Sequence, residues 1–206
     1  MIRWKTFRFA PVFLFVAFSS VATNAGTSTG SNRVDFDFSD RDRLPETNVP
    51  ASDWHLFWGG WGPKPITYPK VVAPSGVDQS QWMHDRVVAV AEHYLGLAYA
   101  HRHIPQMGGL DCSNFTAWVY NFGFGIQLKS NVHVQSKTAG RKLAATETFQ
   151  HGDLLFIWNR DKTIIAHVAI FIGNDQLIDS TKGQVAIRPF TGWYKTRFAW
   201  ARRVIP

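Results

Sequence analysis

Three residue types in this chain could together carry out nucleophilic acyl chemistry. They are the single cysteine, Cys112, a histidine inside an apolar strand pattern, His167, and an acid further along, Asp179. A thiolate that attacks a carbonyl needs a base to hold its proton and a third group to orient that base. Cys112 sits in Gly108-Gly-Leu-Asp-Cys-Ser-Asn114, ahead of Phe115, Trp118, Val119 and Phe122. That i, i+3, i+4, i+7 spacing predicts a helix that begins at about the cysteine. Asp111 and Ser113 are cap-type residues whose oxygens can accept from free first-turn N–H groups, and Gly108-Gly109 mark a turn before them. A cysteine at the positive end of a helix is favoured as thiolate over thiol.

The elements that must position this cysteine follow from periodicity. A helix is expected from Asp78 or Ser80, with Val87, Val90, Ala91, Tyr94 and Leu95 on one face and Gly96 as its stop. A loop from Leu97 to Leu110 leads into the cysteine helix, which ends near Gly123-Phe-Gly125, and a polar stretch with Gln135 and Gly140 follows. The pattern then turns to strands at 153–158, 165–172, 176–180, 184–190 and 198–205. Helices first and strands second, without alternation, predict an α+β fold in which N-terminal helices pack on a four- to five-stranded antiparallel sheet.

Of the eight histidines, only His167 falls inside a strongly predicted strand. Amid Ile165, Val168, Ile170 and Ile172 its imidazole needs a partner, either as a working base or as a satisfied core histidine. Register tests the acid. A two-residue hairpin on Asn174-Asp175 alone pairs residues whose numbers sum to 349, placing 167 and 179 on opposite faces. A three- or five-residue loop centred on Gly173 gives a sum of 346 and sets His167 opposite Asp179. The carboxylate could then accept the Nδ1–H and fix the tautomer.

Composition bounds the rest. A chain of 206 residues, 45% hydrophobic and 18% charged, suffices for one packed domain and additional material. Residues 1–25 read as a secretory signal: Arg3, Lys5 and Arg8 precede the apolar run Phe9–Phe18, and small residues lead to Ala22 or Ala25. Its apolar core is shorter than the roughly 20 residues of a membrane span, so no span is expected after cleavage. Cleavage there removes three bases and no acids and lowers the net charge from +7 to +4. An exported chain with that excess and no basic run suits a polyanionic envelope and not nucleic acid. Residues 26–80 read as a polar leader and an aromatic arm, Trp54 to Trp61 followed by prolines, either a sugar-stacking platform or a packed extension. His101 and His103 have no further ligand at metal spacing, so neither metal nor cofactor is expected.

At the level of motifs, residues 81–206 resemble the NlpC/P60 cysteine peptidases, compact papain-like enzymes that cut bacterial peptidoglycan stem peptides. Asp111-Cys112-Ser113 is similar to the family's DCSG segment, Gly152-Asp-Leu-Leu-Phe156 to its GDLVFF strand, and His167-Val-Ala-Ile-Phe-Ile-Gly173 to its HVGIYLG strand. The resemblance implies a papain-like catalytic domain with Cys112 as nucleophile, His167 as base and Asp179 as third member. It implies substrate contacts from Tyr99, Asp111, Ser113 and Gln135, the last matching a glutamine of the loop that follows the cysteine helix. The chain departs from the pattern in several places. Asn114 stands where glycine is usual, Ala98-Tyr99 where Pro-Tyr is, and Asp179 where a histidine is common. Residues Ala100–Met107 replace the family's glycine pair.

The function this implies is exported hydrolysis of stem peptides at D-γ-glutamyl-meso-diaminopimelate bonds, in the periplasm or outside the cell by a monomer. Two alternatives stay open: an amidase or acyltransferase on the same fold, and a non-catalytic wall-binding module.

Overall fold

The computed structural model describes residues 70–100, 109–181 and 183–206. The signal-like segment 1–25, the Trp54–Trp61 arm, His101, His103 and the rest of the 101–107 loop lie outside the described residues. Among the described residues four helices are seen: α1 (Gln79–His93), α2 (Cys112–Phe124), α3 (Val132–Thr138) and α4 (Gly192–Thr196). Six strands form one antiparallel sheet: β1 (Arg141–Lys142), β2 (Leu154–Trp158), β3 (Ile165–Gly173), β4 (Gln176–Ser180), β5 (Val185–Pro189) and β6 (Phe198–Arg203). Their spatial order is β1-β6-β2-β3-β4-β5, so the chain crosses the sheet between β5 and β6 by way of α4.

The fold is α+β, as the ordering of patterns predicts, with one strand more than expected. The addition is β1, two exposed residues paired with β6, too short to show a period. Helices α3 and α4 also fall in stretches without apolar periodicity, at seven and five residues.

The sheet carries apolar side chains on both faces. Leu154, Phe156, Val168, Ile170 and Ile178 join one core with Val87, Val90, Phe115 and Val119 of the two long helices. Leu155, Ala169, Phe171, Leu177 and Ala201 form a second core with Phe190, against which Phe149 and Tyr194 pack. Each large side chain fully buried in these layers contributes about 1.5–3 kcal/mol. Helix α1 lies close on α2 because Gly123 has no side chain: a Cβ there would meet Val90 Cγ2 at 3.2 Å. Arg86 closes the same contact by donating from Nε to the Gly123 carbonyl at 2.7 Å.

The start of α2 is fixed by a backbone bracket. Leu110 donates to Ala98 O at 3.0 Å and accepts from Ala100 N at 3.2 Å, so Tyr99 and Leu110 form a parallel bridge. Ser180 Oγ at the end of β4 donates to the Leu110 carbonyl at 2.5 Å, which ties the bracket to the sheet. Gly109, expected to supply a turn, instead supplies room. A Cβ on it would stand 2.5 Å from Ala100 Cβ and 2.7 Å from Ala98 O. Gly109→Ala is therefore expected to destabilise the fold by about 1–3 kcal/mol, an overpacking cost, read as a lower denaturant midpoint at unchanged m-value.

Candidate active site

Cys112 is the first residue of α2 and is partly exposed. The preceding Asp111 is an extended N-cap whose Oδ1 accepts from the backbone N–H of Ser113 at 3.0 Å and of Asn114 at 2.9 Å. Ser113 Oγ adds a third bond to Oδ1 at 2.9 Å, and Asn114 Nδ2 donates to Oδ2 at 3.1 Å. The asparagine that replaces the usual glycine thus helps hold the cap acid.

His167 lies on β3 immediately after an irregularity. Ile157 pairs with His167 but Trp158 pairs with Ile165, which leaves Ala166 as the extra residue. Such a bulge re-aims the neighbouring side chain. The turn to β4 is the two-residue hairpin on Asn174-Asp175 that would by itself have put His167 and Asp179 on opposite faces, but the strands do not keep its register. Gly173 pairs with Gln176 across a two-residue turn, and Asn174 and Asp175 take φ of 49° and 51°, the left-handed values that a type I′ turn requires. A second bulge, between Phe171 and Gly173, then shifts the register so that Phe171 faces Leu177. Paired numbers now sum to 348 (Phe171 with Leu177), an even value, and His167 and Asp179 share a face as diagonal neighbours.

The two side chains meet at 2.6 Å, and the nitrogen involved is Nε2, bonded to Asp179 Oδ2, not the Nδ1 expected from sequence. Nδ1 is not taken by the acid, and the Cys112 side chain, through its charge and its capacity to hydrogen-bond, acts on the same imidazole. Burial alone would push the His167 proton off. The bonds to Asp179 and then Cys112, with the charges of both, override it and raise the imidazole to about 10. His167 is 8% exposed and Asp179 is wholly buried.

Two partners of Asp179 were not foreseen. Tyr194 of α4 donates its hydroxyl to Oδ2 at 2.6 Å, and Arg188 of β5 donates from Nε to Oδ1 at 2.9 Å. Register offers a signal for the arginine, since Arg188 lies opposite Leu177 and so shares the face of Asp179. Tyr194 lies on a five-residue helix and gives no local signal. Beside them Trp193 sets its ring edge-on to the imidazole, at a centroid distance of 6.0 Å.

The residues that the resemblance assigns to substrate divide in two. Tyr99 borders the cysteine: burial, then the negative charges of Cys112 and Asp111, raise its phenol above the usual value. Asp111 and Ser113 are buried at the helix cap just described. Gln135, by contrast, has no accessible surface. Its Nε2 donates to Ser113 O at 2.8 Å and Lys129 O at 2.7 Å, and its Oε1 accepts from Thr116 Oγ1 at 2.9 Å. The substrate contact expected of Gln135 therefore gives way to a brace between α3 and the start of α2. Among the described residues no group of three or more histidine, cysteine or acidic side chains could hold a metal ion.

The sequence profile of the NlpC/P60 family matches residues 96–204, more than half of the chain. The chain belongs to the NlpC/P60 family. It is 32% identical over 126 residues to a gamma-D-glutamyl-L-lysine dipeptidyl-peptidase of Bacillus cereus, covering 59% of this chain and 37% of the relative. It is 30% identical over 134 residues to a probable endopeptidase NlpC homolog of Haemophilus influenzae, covering 61% and 66%. A gamma-DL-glutamyl hydrolase of Bacillus subtilis is 27% identical over 119 residues, 57% of this chain and 28% of that one. The chain thus spans between 28% and 66% of the length of these three relatives. Among solved structures, an NlpC/P60 family protein from Bacillus cereus superposes with a TM-score of 0.52 at 30% identity, over 60% of this chain and 40% of the other. The peptidoglycan hydrolase RipB of Mycobacterium tuberculosis shares the fold, with a TM-score of 0.52 at 20% identity over 66% and 74%.

The raised imidazole is directly measurable. In nitrogen-15 spectra of the full chain His167 should remain an imidazolium at pH 8 and lose its proton near 10, and Asp179→Ala should move that loss toward neutral pH. Titration of the wild-type ring near 6.5 would contradict the geometry.

Proposed function

We propose that this NlpC/P60 chain is an exported cysteine endopeptidase of peptidoglycan stem peptides, with Cys112, His167 and Asp179 as its catalytic set. The observation that carries the reading is a cysteine at a helix N-terminus whose side chain acts on an imidazole that a buried carboxylate holds at Nε2. That is the arrangement nucleophilic acyl transfer requires.

In the proposed reaction the Cys112 thiolate adds to the amide carbon, and the oxyanion forms near the Cys112 N–H, one of the donors that a helix start leaves free. The C–N bond breaks as His167 passes its proton to the departing amine, leaving a thioester. Water then adds with its proton taken by His167, and the carboxylic acid and the thiolate are released. Asp179 keeps the ring oriented and offsets the imidazolium charge throughout.

The bond proposed is D-γ-glutamyl-meso-diaminopimelate. Two relatives named for γ-glutamyl bonds favour this choice of linkage. Tyr99, Asp111 and Ser113, gathered beside Cys112, are proposed to receive the free amine at the substrate's L-Ala end. The place of action is the cell wall, reached through the signal-like segment 1–25.

Three measurements test the proposal. Cys112→Ala should abolish release of peptides from purified sacculi, and mass spectrometry of the wild-type digest should show new termini at D-γ-glutamate and diaminopimelate. A full rate in the variant, or a different bond cut, overturns the assignment. Asp179→Ala should lower kcat by about 10²- to 10⁴-fold with the fold intact, the range seen when an orienting acid is lost. Because His167 must carry a proton to the leaving amine, and its value is raised, activity should persist as pH rises and fall only on approaching about 10.

A further inference from the structure

Asp179 has no accessible surface, yet three side-chain donors from three elements converge on it. His167 Nε2 and the Tyr194 hydroxyl share Oδ2, each at 2.6 Å, while Arg188 Nε takes Oδ1 at 2.9 Å. A carboxylate held at one oxygen can turn about its Cβ–Cγ bond, whereas one held at both cannot. The second arm of Arg188 extends the restraint: its terminal nitrogen donates to Thr181 Oγ1 at 2.8 Å. Thr181 directly follows β4, and the carbonyl of Gly183, just ahead of β5, accepts from Tyr99 N at 2.9 Å. One guanidinium therefore links the acid behind the imidazole to Thr181, in the connection between β4 and β5 whose Gly183 carbonyl holds Tyr99 N.

The charges alternate along the same path. Arg188, Asp179, His167 and Cys112 run plus, minus, plus, minus when the thiolate and imidazolium form, with Asp111 and Tyr99 on the far side of the cysteine. A wholly buried carboxylate with a single cation opposite it is costly to desolvate, and it is costlier still when that cation is also a working base. Arg188 and Tyr194 supply hydrogen bonds that, with His167, satisfy the buried Asp179 carboxylate at both oxygens.

We propose that Arg188 and Tyr194 are positioning residues for the Cys112–His167–Asp179 set, acting on the imidazole through Asp179, and that Arg188 also positions Tyr99 through the connection between β4 and β5. The proposal rests on the peptidase reading for its kinetic consequence but not for its chemical one, because thiol reactivity can be followed without any substrate.

Two variants separate the roles. Tyr194→Phe should lower kcat about tenfold with KM unchanged within about twofold, the mark of an interaction felt at the chemical step alone. Arg188→Met should lower kcat more and raise KM as well, and Arg188→Lys should restore part of both. Placed in an Asp179→Ala background, neither Tyr194→Phe nor Arg188→Met should change kcat by more than about twofold, because residues acting through one group are not additive.

The same double-variant comparison is made on the full chain with iodoacetamide as probe. Alkylation of Cys112 at pH 6 to 7 should slow about fivefold or more in each single variant relative to wild type, and should not slow further in the Asp179→Ala background. Circular dichroism establishes that each variant is folded, and Arg188→Lys stands in for Arg188→Met where the latter is not. Losses that add to that of Asp179→Ala, or single variants with wild-type alkylation and kcat, overturn the proposal. If alkylation behaves as described but sacculi are not cut, the positioning roles stand and the peptidoglycan reading falls.

Discussion

A carboxylate with no access to water has to be satisfied entirely by the protein around it, and in this fold much else follows from that requirement. Asp179 draws donors from β3 and β5, the strands that flank its own, and from α4 on the connection that leads across to β6. The demand fixes the register of two strand pairs and the seating of a short helix that has no buried residue of its own. It also fixes which nitrogen of His167 faces the acid, and through that which nitrogen remains for Cys112. Burial here acts less as a source of stability than as a means of allowing one arrangement.

Much of this was legible in the chain before any coordinates. The α2 start could be read because three signals coincide: a cap acid, a serine two positions on, and an apolar stripe beginning at Phe115. The polar residues of β3 and β4 stood out against apolar runs. Parity then brought them to one face, although by a route the sequence did not disclose. An odd-sum turn and a one-residue bulge together restore an even register, and a bulge leaves no composition signal when its extra residue is an isoleucine or an alanine.

What escaped was whatever depended on long-range partners. Gln135 looks like any loop polar residue until its amide is seen to bridge Ser113, Lys129 and Thr116. Tyr194 is one aromatic among several, and only the chain crossing through α4 places it over Asp179. Gly109 reads as turn punctuation, whereas the constraint on it is the proximity of Ala98 and Ala100, which are remote in pattern although near in number. Local propensity identifies elements; it does not say which of their side chains will meet.

The bracket between residues 98–100 and 109–110 has a consequence for how such a site is held together. Two backbone bonds across Leu110, with Ser180 behind, close the chain on either side of positions 101–108. Tyr99 and Cys112 are thereby held on a common mount whose spacing does not pass through the intervening residues. The spacing of the thiol and the phenol is set by the bracket itself and by the Ser180 bond that ties it to the sheet. The nucleophile and the phenol beside it are thus mounted by backbone bonds, so that their alignment is a property of the main chain and not of any one side chain between them.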